Sequence, residues 1–215
     1  MRSLVRFLAW GLLAVGLLLG ILRATVLRWF WLPTNDPIFE TSVIPSLRGG
    51  DLILTSRITS PKFGDLVVCP EPDHPERYVI GRIIGEPGDE VEIINGEPRV
   101  GRYKFIVERN CDPGKIKYPN PDNEAEEVVQ YCDMEAIANH LHRTGGLGGH
   151  EIRPETLTYT VTEGKFFLIS DNRLYHYDSR DFGLVDIDSC KETVFLRLVS
   201  KEGWLDAENR LNYIQ

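Results

Sequence analysis

Thr41-Ser42-Val43-Ile44-Pro45-Ser46-Leu47, followed after two residues by Gly50-Asp51, is the stretch on which the reading of this chain turns. A serine three residues ahead of a proline is common and means little alone. Here it lies just beyond a long apolar segment, and Gly50-Asp51 opens a short strand-like run, Asp51-Leu52-Ile53-Leu54-Thr55. A serine hydroxyl becomes a nucleophile only beside a group that takes its proton and donors that face the developing oxyanion. The reading therefore depends on what the rest of the chain can bring to Ser42.

Two further stretches stand out. Arg82-Ile83-Ile84-Gly85-Glu86-Pro87-Gly88-Asp89 follows the apolar run Tyr78-Val79-Ile80 through Gly81. Its glycines, proline and aspartate read as a tight turn between strands. Near the end comes Ser170-Asp171-Asn172-Arg173-Leu174-Tyr175-His176-Tyr177-Asp178-Ser179-Arg180, with Gly183 beyond it, a dense set of charged and hydrogen-bonding side chains.

Upstream, Phe7 to Leu22 carries no charge and no proline and is rich in leucine. Arg2 and Arg6 precede it, and Arg23 interrupts it before Ala24 to Leu27 resume it. Arg28 and Trp29-Phe30-Trp31 follow. About 20 apolar residues span a bilayer, so the run qualifies if Arg23 snorkels to the headgroups, with Trp29 and Trp31 as an interfacial belt. No small-x-small cleavage site precedes Pro33, which favours an uncleaved anchor over residues 1–32 rather than a signal peptide. No later run is apolar enough to span, so a single anchor is expected.

The chain has 215 residues, room for that anchor and one domain of ordinary size. Its net charge is −8, and the four arginines before Pro33 are all basic charge with no acid until Asp36, so the remainder stands at −12. Such an acidic body disfavours nucleic acid or anionic lipid as its main partner. Cysteines 69, 111, 132 and 190 include no CxxC pair and no zinc-like spacing, so no metal is expected. Cys69 ends an apolar run and reads as core. Cys111 and Cys132 flank a polar segment and are the best disulfide candidates in an oxidising compartment.

Short β-like segments dominate after the anchor: Gly64–Val68, Glu90–Ile94, which alternates with period two and leads to the hairpin signal Asn95-Gly96, Lys165–Ile169 and Thr193–Leu198. The expected fold class is mainly β: an antiparallel β domain over 33–200 behind one N-terminal transmembrane helix, with 201–215 a tail. Residues of about 101–160 change character, acidic and rich in proline and glycine, and read as an inserted subdomain. Met134 to Leu141 is expected to form a short helix within it. The glycines at 145–149 are too irregular for a phosphate loop, and no cofactor is expected.

The stretches at 41–51, 82–89 and 170–183, in that order behind an anchor, resemble the type I signal peptidase family, serine-lysine peptidases that remove leader peptides. The resemblance extends over most of residues 38–100 and 163–190. It implies a signal-peptidase-like fold, a cytoplasmic N-terminus, an exported domain and Ser42 as nucleophile. It also implies a lysine at the position held here by Gly81, which has no side chain to accept a proton. At Glu40 many members carry a serine that helps bind the oxyanion, and a carboxylate there opposes that charge. Asp171, Asn172, Arg173, Asp178, Arg180 and Gly183 match the family's supporting segment, with Asp178 and Arg180 as a carboxylate–guanidinium pair. His176 stands where a serine normally contacts the lysine.

Two functions follow as expectations. The first is a degenerate homologue in the bacterial inner membrane, its domain in the periplasm, serving as a binding or scaffold subunit. Its candidate partners are membrane lipid through the helix, an extended peptide in the cleft, or a larger membrane complex; nucleic acid is excluded. The second is an active peptidase in which His176 projects into the space vacated at Gly81 as replacement base, oriented by Glu40. No lysine among Lys62, Lys104, Lys115, Lys117, Lys165, Lys191 and Lys201 lies in a motif that would bring it to Ser42.

Overall fold

A computed structural model of the chain describes residues 2–101, 103, 105–108, 111–138, 140–148 and 155–214, with the side chains of 2–4 and 124 excepted. Helix α1 (Arg2–Thr25) opens it. Its stretch Val5–Thr25 has a mean hydropathy of 2.2, has no buried residue, and is long and apolar enough to cross a membrane. The helix stops earlier than the apolar run suggests. Residues Leu27–Trp31 form strand β1 and pair in antiparallel register with β2 (Leu52–Ser56). The tryptophans read as an interfacial belt thus lie in the edge strand of a sheet. Arg23 donates to the Trp29 carbonyl at 2.9 Å and covers the Trp29 ring at 4.4 Å, so the residue that interrupts the run clamps helix to strand.

The main sheet is antiparallel and has eight strands among the described residues. Its order is β1, β2, β14 (Glu192–Val199), β3 (Leu66–Pro70), β4 (Tyr78–Gly85), β12 (Lys165–Ile169) and β13 (Val185–Asp186), with β15 (Asn212–Tyr213) paired to β14. The segment expected as a tail is therefore folded back, and Ile214 is buried in the core. A three-stranded sheet joins β5 (Glu90–Ile94), β6 (Glu97–Val100) and β11 (Thr156–Thr160). Asn95 at φ 53° and Gly96 at φ 82° make the tight β5–β6 turn signalled by the sequence.

The segment of changed character builds a four-stranded sheet from β7 (Phe105–Glu108), β8 (Lys115–Asn120), β9 (Asn123–Ile137) and β10 (His140–Gly145). Among the described residues of 134–141 there is no helix. Met134 to Ile137 pair with both β7 and β10, and Ile137 meets His140 across a turn in which Ala138 takes φ 52°. A helix would waste the alternation that buries Asp133, Glu135 and Ile137 while Leu141 faces out.

All four cysteines are paired. Cys111–Cys132 ties the start of this inserted sheet to the middle of β9. Cys69, expected only as core, is bonded to Cys190 across 121 residues, joining β3 to the segment before β14.

Candidate functional site

Ser42 ends the short helix α2 (Pro37–Ser42). Asp36 caps it by accepting from the Phe39 amide at 3.1 Å, and Pro37 occupies its first turn. Phe39, Val43 and Leu47 anchor the segment in the same apolar cluster as Leu66, Val68 and Ile80 of β3 and β4. Ser42 is 1% exposed, and its hydroxyl donates to the Phe39 carbonyl at 2.9 Å. Its own carbonyl accepts from the Asn172 amide at 3.1 Å, while Asn172 Nδ2 donates to the Thr41 carbonyl. Folding does bring the first and third stretches together. Among the described residues no lysine or histidine hydrogen-bonds the Ser42 hydroxyl.

Gly81 sits in the middle of β4, paired with Val67. A Cβ added there would lie 3.0 Å from Leu168 Cβ and 3.4 Å from the Ile169 carbonyl oxygen. The ground beside the missing side chain is held by β12.

His176 is directed elsewhere. Its Nδ1 lies 2.8 Å from Asp181 Oδ2 in a half-buried position. Asp181 in turn accepts from the Asp178 amide, and Asp178 caps α3 (Ser179–Phe182). Arg180 grips both oxygens of Asp178 at 2.8 and 2.7 Å, the pair foreseen from sequence. His176, Asp178 and Asp181 offer donor atoms within 4.8 Å of one another. Asp178, however, is fully buried and already held by Arg180 and by the amides of Ser170 and Arg180, which leaves little of it for a cation. Glu40 lies over Gly49, where an added Cβ would come 2.5 Å from its Cγ, and lines a pocket instead of orienting His176.

Sequence reasoning missed the densest charged cluster. Arg82, fully buried, binds Asp171 bidentately at 3.0 and 3.1 Å and donates to the Gly64 carbonyl at 2.7 Å. Ser46 donates to Asp171 at 2.5 Å. Arg173 pairs with Glu135 of β9. His142 of β10 has Nε2 3.2 Å from Glu135 and 3.6 Å from Asp171, in ion-pair range without hydrogen-bond alignment. Burial pushes the Asp171 carboxyl up, but Arg82, His142 and Ser46 outweigh it and hold it at about 2. Burial also opposes ionisation of Glu135, and Arg173 again prevails and lowers it. For His142, burial and Arg82 lower the pKa against the pull of the two carboxylates. Two guanidiniums thus face two carboxylates, with the His142 imidazole between the carboxylates. The signal available in the sequence was Arg82 itself, a charge inside an otherwise apolar strand, which requires a buried partner. His142 was hidden because the helix expected over Met134 to Leu141 took up the start of its strand, β10 (His140–Gly145).

A family description, signal peptidase of the peptidase S26 type, matches residues 5–199. The chain belongs to that family. Signal peptidase I V of Bacillus subtilis is 27% identical over 147 residues, 66% of this chain and 71% of the relative. Signal peptidase I of Aquifex aeolicus is 27% identical over 186 residues, 73% and 72% of the two chains. Signal peptidase I of Rickettsia felis is 26% identical over 206 residues, 87% and 71%. The chain is thus a signal-peptidase-like protein. Asn172 touches α2, and Arg82 and Ser46 meet on Asp171.

Proposed function

We propose that this S26 member is a membrane-anchored, catalytically degenerate homologue that binds an extended peptide or serves as a scaffold subunit. Residues 1–32 are read as anchor region, with the polypeptide turned into the β domain from Leu27, and 33–200 as the domain carrying the inserted sheet at about 101–160. The domain is assigned to the exported side of a bacterial inner membrane, a reading supported by two disulfides, which persist in oxidising compartments. The observation that carries the reading is at Gly81. Where the family base would stand there is no side chain, the adjacent space is bounded by Leu168, and the Ser42 hydroxyl spends its proton on the Phe39 carbonyl. A general base contributes about 10²–10⁴-fold, and the carboxylate of Glu40 supplies no oxyanion donor in its place.

The test is cleavage of a leader-peptide precursor by wild type, Ser42→Ala and His176→Ala. Equal and negligible turnover in all three is expected. Hydrolysis by wild type that either substitution abolishes would overturn the reading and restore Ser42 and His176 as a working pair.

A further inference from the structure

Helix α2 presents more than Ser42. Glu40 and Thr41 line an open pocket of about 400 Å³, within the range of small-ligand sites, that Ser42 itself does not line. Its other walls come from distant parts of the chain. Arg48 arrives from the loop before β2, Lys117 and Tyr118 from β8, and Lys201 from the turn after β14. The cations of this wall, Arg48, Lys117 and Lys201, are all exposed, and they outnumber the carboxylate of Glu40 three to one. The local charge is inverted relative to a chain of net −8. Lys117 lies 3.2 Å from Glu127, but both side chains are more than half exposed, at 63% and 58%. Water screens such a pair, so a ligand can take the lysine at small cost. Buried Ile44 and Tyr118 supply an apolar floor beneath the charges.

We propose that this pocket is an anion-accepting subsite that takes a carboxylate of an extended peptide, an Asp or Glu side chain or a chain terminus, lying along α2. The proposal rests on the peptide-binding form of the reading above. Position favours a peptide, because Glu40 and Thr41 of the pocket wall belong to α2, the helix that ends in Ser42. The wall favours a carboxylate, because three cations above an apolar floor reward an anion carried on a hydrocarbon stem and penalise a basic side chain.

The experiment uses the full chain in zwitterionic-lipid nanodiscs and fluorescence anisotropy of two labelled alanine-rich peptides that differ by one Glu or Gln. The Glu peptide is expected to bind about fivefold to tenfold more tightly, a margin that shrinks as salt rises. Lys117→Glu/Lys201→Glu should abolish or reverse the difference between the two peptides, and Arg48→Gln should reduce it. All three side chains are exposed, so these variants are expected to melt with the wild type. Equal affinities in wild type, or a Glu preference that survives charge reversal, would overturn the subsite and leave the peptide-binding cleft standing. Failure of both peptides to bind would overturn the two together.

Discussion

At Gly81, glycine is not there for its backbone freedom, since its φ lies outside the left-handed region; what matters is the absent side chain and the closeness of Leu168. The three positions that the resemblance singles out, 40, 81 and 176, have separate structural settings. Glu40 faces a cationic pocket, Gly81 abuts β12, and His176 is engaged by Asp181. Restoring the base alone should therefore fail. Gly81→Lys is expected to leave precursor cleavage near background, because Leu168 must first yield and Glu40 still stands where an oxyanion donor is wanted. The triple variant Glu40→Ser/Gly81→Lys/His176→Ser should exceed any single one by at least about 10²-fold, as the base and donor terms combine. Single-turnover hydrolysis of a fluorogenic leader peptide reads the difference.

Between elements, the inserted sheet is held to the site loop by a polar clamp. Gly145 and Asn172 form a bridge, Gln130 donates to Asn172, Arg173 pairs with Glu135, and His142 sits between Glu135 and Asp171. This clamp makes stability depend on pH in one direction. The His142 pKa is lowered below its ordinary 6.5, so on acidification the unfolded chain takes a proton that the native imidazole refuses, and stability falls as pH drops through about 6.5. Asp171, held at about 2 against an ordinary 3.8, and Glu135, held below 4.5, stabilise fully above those ordinary values and lose that contribution as pH falls further. All three carry the same sign. Denaturant midpoints measured from pH 8 to pH 4 should decline, with a slope of at most about 1.4 kcal/mol per pH unit for each proton. His142→Gln should flatten the section between pH 7 and pH 5 and leave the lower section.

Across the chain as a unit, the join between anchor and domain has a measurable consequence. Because β1 is paired along all five residues with β2, the sheet begins at Leu27 and not at Pro33. A fragment starting at Val26 should behave as a detergent-free soluble domain. One starting at Pro33 should bare the β2 edge and aggregate or melt at lower temperature, as an unpaired edge invites association. Sedimentation and thermal melting of the two fragments give the comparison. The same boundary shows where sequence stopped being informative. An apolar run reports its length and its suitability for lipid, and alternation reports strands, because those patterns are local consequences of the 3.6 and 2.0 residue periods. Hence the helix, the Asn95-Gly96 hairpin and the mainly β class were legible in advance, while the Asp178–Arg180 pair was implied by the family resemblance. The family was legible too, from three stretches in order. Partners far apart in the chain were not. The pairing of β1 with β2, the Cys69–Cys190 bond, the burial of Arg82 on Asp171 and the pairing of 134–137 with β7 all arise when segments remote in sequence compete for the same space. Residue order set the menu of local structures and named the positions to watch; only packing in three dimensions decided which charges met, because desolvation and geometry act between neighbours in space.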